Sequence, residues 1–250
     1  MSEEICKSIY FFDLDDTLVE TTQFNEAAVI NSLEVLEQFK INISKVDAWE
    51  FYLSIYQDIK ASSDMMKMYF EKLYKIHPDK FESEELFGRI VTVGVCKYEE
   101  FFERKIKDFI PKYVIKVLEK IVSSGSKIGI ISQGRPGFQM LKLKNLGLEK
   151  YFDETLRFYF EKKTESNYNL VIKDINRKYP NIELFIIGDR EDIDILRPRK
   201  LGFNVIRILG LSKYRQIKTE KDYLEFINFK EFYNSLKLKN DKIDSDKKFA

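Results

Sequence analysis

Residues 9–18 have the sequence IYFFDLDDTL, and this stretch decides the fold. Its first four residues form a short apolar run of the kind that makes a buried strand. The run stops at Asp13, and the polar cluster Asp15-Asp16-Thr17 that follows is typical of a turn. The sequence therefore predicts a buried strand near the N-terminus with carboxylates at its carboxyl end.

Beyond Pro111, short apolar runs alternate with segments of three-to-four apolar spacing. Strands are predicted at 127–132, 184–188 and 203–208, with a weaker strand at 155–160. Helices are predicted at 114–121, 136–146, 168–178 and 193–201. Such alternation is typical of a parallel sheet covered by helices. We therefore predict an α/β fold with a Rossmann-like parallel sheet.

The segment between the first strand and Pro111 has helical periodicity almost throughout. Only the stretch Ile90–Val95 also fits a strand. The predicted organisation is thus an α/β core, residues 1–20 and 110–237, interrupted by an all-helical domain, residues 21–109. Residues 238–250 are lysine-rich and weakly apolar, so we expect a disordered tail.

Composition excludes several classes of protein. The formal net charge is +1, which argues against a nucleic-acid binder. No apolar run approaches the roughly 18 residues of a membrane span, and the N-terminal segment does not resemble a signal peptide. Two cysteines, Cys6 and Cys96, make no disulfide framework, so a cytoplasmic location is expected. A single histidine, His77, argues against histidine-rich metal sites and most serine–histidine hydrolases.

Polar residues follow the three strongest predicted strands, at the edge where ligands bind to open parallel sheets. Carboxylates at such short distances repel one another, and a bound divalent cation usually relieves this repulsion. Oxygen ligands without histidine or cysteine suit Mg²⁺. The candidate residues are Asp13 and Asp15 after the first strand, Ser132, Gln133 and Gly134 after the second, and Asp189 and Asp194 after the third.

These residues resemble the motifs of the haloacid dehalogenase superfamily, over about residues 5–210. Residues 12–18, FDLDDTL, look like its first motif, a strand followed by DxDxT. The strand that ends at Ser132 resembles the second motif, and Gly188-Asp189 with Asp194 resembles the acidic fourth motif. One motif alone would be weak, but three in order, each closing a predicted strand, are a specific signal.

The resemblance implies a role for each residue in phosphoryl transfer. Asp13 would attack phosphorus and form an aspartyl-phosphate, and Asp15 would serve as general acid and then general base. Ser132 and the backbone N–H groups of Gln133 and Gly134 would bind a phosphoryl oxygen. Mg²⁺ would be held by Asp13, the backbone carbonyl of Asp15 and Asp189, with Asp194 as a further ligand through water or as an orienting residue.

The family's third motif, a lysine usually followed by proline, matches poorly. The corresponding stretch, residues 160–166, reads FEKKTES and has no proline. Counting back from the predicted helix at 168–178 favours Lys163, with Lys162 as the alternative.

Several nearby residues have less specific interpretations. Asp16 is expected to face solvent or cap a helix and is left out of the site. Arg135 and Arg190 could touch an anionic substrate, although surface arginines are common near such edges. His77 is expected in a loop. The linker residues Glu20, Thr21 and Gln23 are candidates to line the site.

We therefore predict a Mg²⁺-dependent phosphatase of this superfamily, with the helical domain as a cap. The cap would favour a small phosphorylated metabolite as substrate, and neither nucleic acid nor membrane is expected as a partner. Alternatives are a phosphomutase, a haloacid dehalogenase and a catalytically weak binding protein. Dehalogenases of the superfamily use no Mg²⁺ and lack the second aspartate, so Asp15 argues against that alternative. Neither the substrate nor the oligomeric state can be predicted from the sequence.

Overall fold

The computed structural model describes residues 8–59, 64–210 and 222–236. They fall into two compact units, one from the ranges Met1–Thr22 and Lys107–Ala250 and the other from Gln23–Ile106. The tail predicted at 238–250 lies outside the described residues.

The first unit is built on a six-stranded parallel sheet, which confirms the predicted α/β fold class. The strand order is β3-β2-β1-β4-β5-β6. The strands are β1 (Ser8–Phe12), β2 (Lys127–Gln133), β3 (Arg157–Phe160), β4 (Glu183–Gly188), β5 (Asn204–Ile208) and β6 (Leu224–Phe226). The helices of this unit are α5 (Val114–Ser123), α6 (Pro136–Asn145), α7 (Glu165–Lys178) and α8 (Arg197–Lys200).

Strand β1 lies inside the sheet because four of its five residues are aliphatic or aromatic and all but Tyr10 are buried, as a doubly covered parallel strand requires. Its last residue, Phe12, pairs with Ile130 of β2 and Ile187 of β4. The Asp13 amide then donates to the Ile187 carbonyl, at 2.8 Å. This register brings the carboxyl ends of β1, β2 and β4 to the same edge of the sheet.

Helix α7 packs one face on the sheet because Tyr168, Val171 and Ile175 recur at helical spacing. These three residues share a buried cluster with Ile9 and Phe11 of β1. The start of α7 is fixed by a capping box in which Thr164 and Asn167 exchange hydrogen bonds. The backbone position of the residue immediately before this cap, Lys163, is thereby well defined.

The second unit contains most of α1 (Thr21–Gln38) and all of α2 (Lys45–Ile59), α3 (Met65–Ile76) and α4 (Glu84–Lys105). These helices enclose their own apolar core, in which Leu33, Tyr69 and Phe70 are fully buried. The stretch Ile90–Val95, which also fitted a strand, lies in the middle of α4. Its neighbours supply a helical pattern over the whole of α4, and that longer pattern outweighs the β-branched residues.

Other differences from the predicted elements lie late in the chain. Residues 193–201 were expected to form one helix but form a turn of π-helix, Glu191–Leu196, followed by α8. Strand β6 and the helical residues 229–236 were not predicted. No helix within the described ranges combines the length and the apolar character needed to cross a bilayer.

Candidate active site

Three buried carboxylates meet at the carboxyl edge of the sheet. Asp13 follows β1, Asp189 follows β4, and Asp194 is carried back towards them by the π-helical turn. One carboxylate oxygen from each lies within 4.8 Å of the other two. The turn is held by a hydrogen bond from the Asp194 amide to the Arg190 carbonyl, at 2.8 Å.

Lys163 is the cation of this cluster. Its ammonium donates to the carboxylate of Asp13 and, at 2.6 Å, to Asp194. The Lys163 amide in turn donates to the Gln133 side chain at 3.2 Å, which ties the loop to the end of β2. Lys163 is buried and Lys162 is exposed, so of the two sequence candidates the structure brings Lys163 to the aspartates.

The electrostatics follow from burying three carboxylates around one ammonium. Burial raises the pKa of Asp13 well above its usual range; the Lys163 ammonium opposes this, while Asp194, Asp189 and Asp15 add to the rise. For Lys163, burial works to lower the pKa, but attraction to Asp13 and Asp194 outweighs it and raises the pKa. Attraction to the neighbouring carboxylates therefore keeps the Lys163 side chain protonated.

Asp15 lies outside this cluster and has its own partners. Its Oδ2 accepts from the Gln139 side chain at 2.9 Å, and its Oδ1 accepts from Thr21 at 2.6 Å and from the Lys142 ammonium. Burial works to raise the pKa of Asp15, but the ion pair with Lys142 and the hydrogen bonds outweigh it and lower that pKa. The Asp15 carboxylate is thus ionised and held on both oxygens.

Gln139 and Lys142 were not predicted as site residues. Both are buried on α6, three positions apart and therefore on one face of the helix. The sequence carries no signal for this placement, because periodicity alone would turn the apolar residues Phe138, Met140 and Leu141 of α6 inwards, and these are exposed. The polar pair shares its helical face with the buried Leu143.

The three predicted phosphate-binding residues, Ser132, Gln133 and Gly134, differ in burial and in their hydrogen-bond partners. Ser132 is fully buried, and its hydroxyl has no hydrogen-bond partner among the described residues. Gln133 lines the cavity at the sheet edge. The Gly134 amide donates to the Phe160 carbonyl at 2.8 Å, so this N–H is already occupied and not free for a phosphoryl oxygen.

The cavity at the sheet edge brings five acidic residues together with four others. It is lined by Asp13, Asp15, Asp16, Gln133, Lys163, Asp189, Arg190, Ile193 and Asp194. Asp16 also accepts from the Thr22 amide at 2.8 Å, which is the capping role expected for it. Arg190 is thus at the cavity, whereas Arg135 is exposed and is not among its lining residues.

The structure places the candidate residues of the linker and the loop in different surroundings. Of Glu20, Thr21 and Gln23, Thr21 reaches the site through its bond to Asp15, and Gln23 is exposed. His77 is half-buried at the end of α3, in the other unit.

Behind Asp189 lies a buried arginine that the sequence did not reveal. Arg207 of β5 is fully buried, and its Nε donates to the Asp189 carbonyl at 3.0 Å. Its guanidinium also lies 3.4 Å from the carboxylates of Glu191 and Glu225. Arg207 therefore fixes the backbone from which the Asp189 side chain projects.

The residues present fit a divalent cation. Asp13, Asp189 and Asp194 offer oxygen atoms only, which suits Mg²⁺ better than a softer metal. Because one lysine faces three buried carboxylates, a further positive charge would relieve the repulsion that remains.

Curated relatives resemble most of the chain. A glyceraldehyde 3-phosphate phosphatase of Methanocaldococcus jannaschii is 27% identical over 213 residues, which is 84% of this chain and 88% of the relative. Its name agrees with the enzyme class predicted from the sequence, a phosphoric monoester hydrolase.

Solved structures share the fold. A haloacid dehalogenase-like family hydrolase from Xanthomonas campestris has a TM-score of 0.61 at 14% identity, covering 93% of this chain and 96% of its own. A protein assigned to the HAD hydrolases, from Bacillus subtilis and solved bound to magnesium, has a TM-score of 0.54 at 17% identity, with 92% and 99% covered. At these identities the likeness concerns the fold alone.

One family model matches a range that contains all three strand-end motifs and the helical segment between the first and the second. The model of the haloacid dehalogenase-like hydrolases matches residues 8–202. This range includes Asp13, Ser132, Lys163, Asp189 and Asp194. The chain therefore belongs to the haloacid dehalogenase-like hydrolases.

Proposed function

We propose that this protein is a Mg²⁺-dependent phosphatase that hydrolyses a small phosphomonoester through a phosphorylated aspartate. The observation that carries the proposal is the position of Asp13: it is buried at the end of β1, bonded to Lys163 and grouped with Asp189 and Asp194. Family membership and the named phosphatase relatives support the same conclusion.

The first half of the reaction transfers the phosphoryl group to Asp13. An Asp13 carboxylate oxygen attacks phosphorus and the bond from phosphorus to the ester oxygen breaks. Asp15, which takes up a proton from solvent before this step, gives that proton to the departing oxygen and becomes a carboxylate again. The Lys163 ammonium offsets negative charge next to Asp13, so that the anionic nucleophile and the anionic ester can approach.

The second half releases phosphate. Water attacks the phosphorus of the aspartyl-phosphate while Asp15 accepts its proton, and the bond from phosphorus to the Asp13 oxygen breaks. Inorganic phosphate leaves, and Asp13 returns to a carboxylate. The Ser132 hydroxyl, which has no hydrogen-bond partner in the part of the chain that the structure describes, is the proposed donor to a phosphoryl oxygen. The next residue, Gln133, lines the cavity at the sheet edge.

Asp13, Asp189, Asp194 and the Asp15 carbonyl are the proposed ligands of Mg²⁺. When bound, the ion would neutralise charge on the phosphoryl oxygens and on Asp13. The three side chains are buried and close together, which supports this assignment. The separate partners of the Asp15 carboxylate leave that group for proton transfer.

The substrate is proposed from the relatives and from the helical unit. The relative from Methanocaldococcus jannaschii makes glyceraldehyde 3-phosphate the first compound to test. We propose that the unit Gln23–Ile106 acts as a cap that excludes water during turnover, as expected for a small soluble substrate.

The test is release of phosphate by the purified protein with Mg²⁺. Glyceraldehyde 3-phosphate, glycerol phosphate, hexose phosphates and p-nitrophenyl phosphate form the panel. Asp13→Asn should abolish release, and acid-quenched wild-type protein should carry a phosphoryl group on the peptide that contains Asp13. Asp79→Asn, a change at an exposed carboxylate in the other unit, is the matched control.

Two outcomes would overturn this function. One is no phosphate release from any compound of the panel, and the other is full activity in Asp13→Asn. If phosphate passes from one hexose phosphate to another sugar rather than to water, the enzyme is a phosphomutase instead.

A further inference from the structure

We propose that Lys142 and Gln139 are positioning residues, which hold the Asp15 carboxylate in place for proton transfer. The inference rests on the proposed function, because it concerns the group that serves there as general acid and base. It adds two residues of α6 to the machinery, neither of which belongs to the strand-end motifs.

Both carboxylate oxygens of Asp15 accept hydrogen bonds from side chains. Lys142 and Thr21 bond to Oδ1, and Gln139 bonds to Oδ2 at 2.9 Å. The Lys142 side chain is 5% exposed, whereas that of Asp15 is 31% exposed. A buried cation is thus aimed at a carboxylate that keeps access to the cavity.

Gln139 is itself fixed at the sheet edge. Its amide nitrogen also donates to the Gln133 carbonyl, at 2.8 Å. A Cβ built on Gly134 would lie 2.4 Å from the same nitrogen, and Gly134 has a φ of +140°. The close approach of this glycine packs the Gln139 amide in place, so one nitrogen connects Asp15 to the end of β2.

Helix α6 turns two polar side chains towards the interior and three apolar side chains towards solvent. Gln139 and Lys142 face inwards, while Phe138, Met140 and Leu141 are between 44% and 54% exposed. Burying an ammonium has a large desolvation cost unless a partner compensates it. A helix that served only to cover the sheet would present its apolar residues inwards, so the inverted pattern points to a role for the polar pair at Asp15.

The proposed reaction requires the Asp15 carboxyl group to keep one position. The same carboxyl group must deliver a proton to the departing oxygen and later take one from water, at one position relative to phosphorus. A partly exposed side chain on a turn would otherwise sample several rotamers. Holding both of its oxygens keeps the group in one orientation, and misplacement of such a group is costly.

The test compares two aryl esters of nearly equal size. Phenol is a weaker acid than p-nitrophenol, so phenyl phosphate depends on proton delivery far more than p-nitrophenyl phosphate does. Lys142→Met should lower kcat/KM for phenyl phosphate at least about tenfold more than for p-nitrophenyl phosphate. Asp15→Asn should show the same selective loss, and adding Lys142→Met to it should cost little more, because the residues act as a unit.

Conservative and neighbouring variants separate positioning from general damage. Lys142→Arg keeps the cation and should recover part of the lost activity on phenyl phosphate. Gln139→Leu should repeat the selective loss. Lys144→Met makes the same change at an exposed position of α6 and should leave both rates unchanged.

A second measurement does not use activity. In urea unfolding, Asp15→Asn should lower the midpoint, because it leaves the buried Lys142 without its counterion, and adding Lys142→Met should restore part of the loss. No such coupling, or equal losses on the two esters in Lys142→Met, would overturn the positioning role alone. Wild-type protein that releases phosphate from no compound of the panel would overturn the proposed function, and this inference with it.

Discussion

The Lys163 ammonium donates a hydrogen bond to the Asp13 carboxylate across 150 positions of the sequence. The contact depends on two local features: the capping box that starts α7 at Thr164, and the hydrogen bond from the Lys163 amide to Gln133. Both fix the backbone at the point from which the lysine side chain enters the site. A lysine without the proline of the family motif therefore reaches Asp13, the proposed nucleophile.

Lys163→Met is expected to reduce phosphatase activity at least about 100-fold, because the nucleophile and the phosphoryl group lose the nearest protein cation. It should also lower the free energy of unfolding without metal by about 3 kcal/mol, since two buried carboxylates lose their partner. Steady-state kinetics and urea unfolding measure the two effects. Lys162→Met, at the exposed neighbouring position, should change neither, and an active Lys163→Met enzyme would contradict the role.

The parts of the site that lie at strand ends could be predicted from the sequence. Apolar runs that stop at Asp13, Ser132 and Gly188 mark the ends of strands, and parallel pairing brings those ends to one edge. Local patterns and one general rule of topology are enough to place these residues at one edge, whichever side chains touch across the site.

The remaining parts depend on contacts between distant elements, which local patterns do not encode. Lys142 and Gln139 reach Asp15 from α6, and Arg207 reaches the Asp189 carbonyl from β5. Each of these polar residues has its partner in a different element, and the pattern of its own element does not indicate that partner. Strand β6 was missed for a related reason, because three residues are too few to show a period.

Removal of a proposed metal ligand should be visible in thermal unfolding. Mg²⁺ should raise the melting temperature of the wild-type protein, because a ligand that binds only the folded state stabilises it. Asp189→Asn should abolish most of this rise, with an activity loss of at least about 100-fold. Asp192→Asn changes a side chain that is 63% exposed, and it should keep both the rise in melting temperature with Mg²⁺ and the activity. An undiminished rise in Asp189→Asn would remove that residue from the ligand set.

Gly188 is expected to tolerate no side chain. A Cβ at this position would lie 2.4 Å from the Asp194 Cβ and 2.8 Å from its Cγ. Gly188→Ala should therefore displace the Asp194 carboxylate and lower activity by about tenfold or more, as a misplacement of about 1 Å does. Gly88→Ala, with no atom within 4 Å of the added Cβ, should leave activity unchanged and stabilise α4 by about 0.5–1 kcal/mol. Equal activities in the two variants would contradict the steric argument.

The ion pair between Lys127 and Asp153 should make stability depend on pH in the acid range. Lys127 Nζ lies 2.7 Å from Asp153 Oδ2, at the start of β2. Burial works to raise the pKa of Asp153, but the hydrogen bonds from Lys127 and Thr155 outweigh it and hold that pKa below its ordinary value of 3.8. A lowered folded-state pKa means that the pair's contribution is complete above the unfolded-state pKa and is lost as the pH falls through the folded-state value.

Asp153→Asn should therefore lower the urea midpoint at about pH 6 by an amount equivalent to about 0.5–1 kcal/mol, since the pair is partly exposed. The difference from wild type should shrink as the pH falls below 3.8, because wild-type Asp153 then becomes protonated and loses the same attraction. Urea unfolding at several pH values measures this difference in midpoint. Asp174→Asn changes a partly exposed acidic residue on α7 and is unfolded under the same conditions for comparison. A difference that stayed constant or grew on acidification would mean that Asp153 acts through the Thr155 hydrogen bonds rather than through its charge.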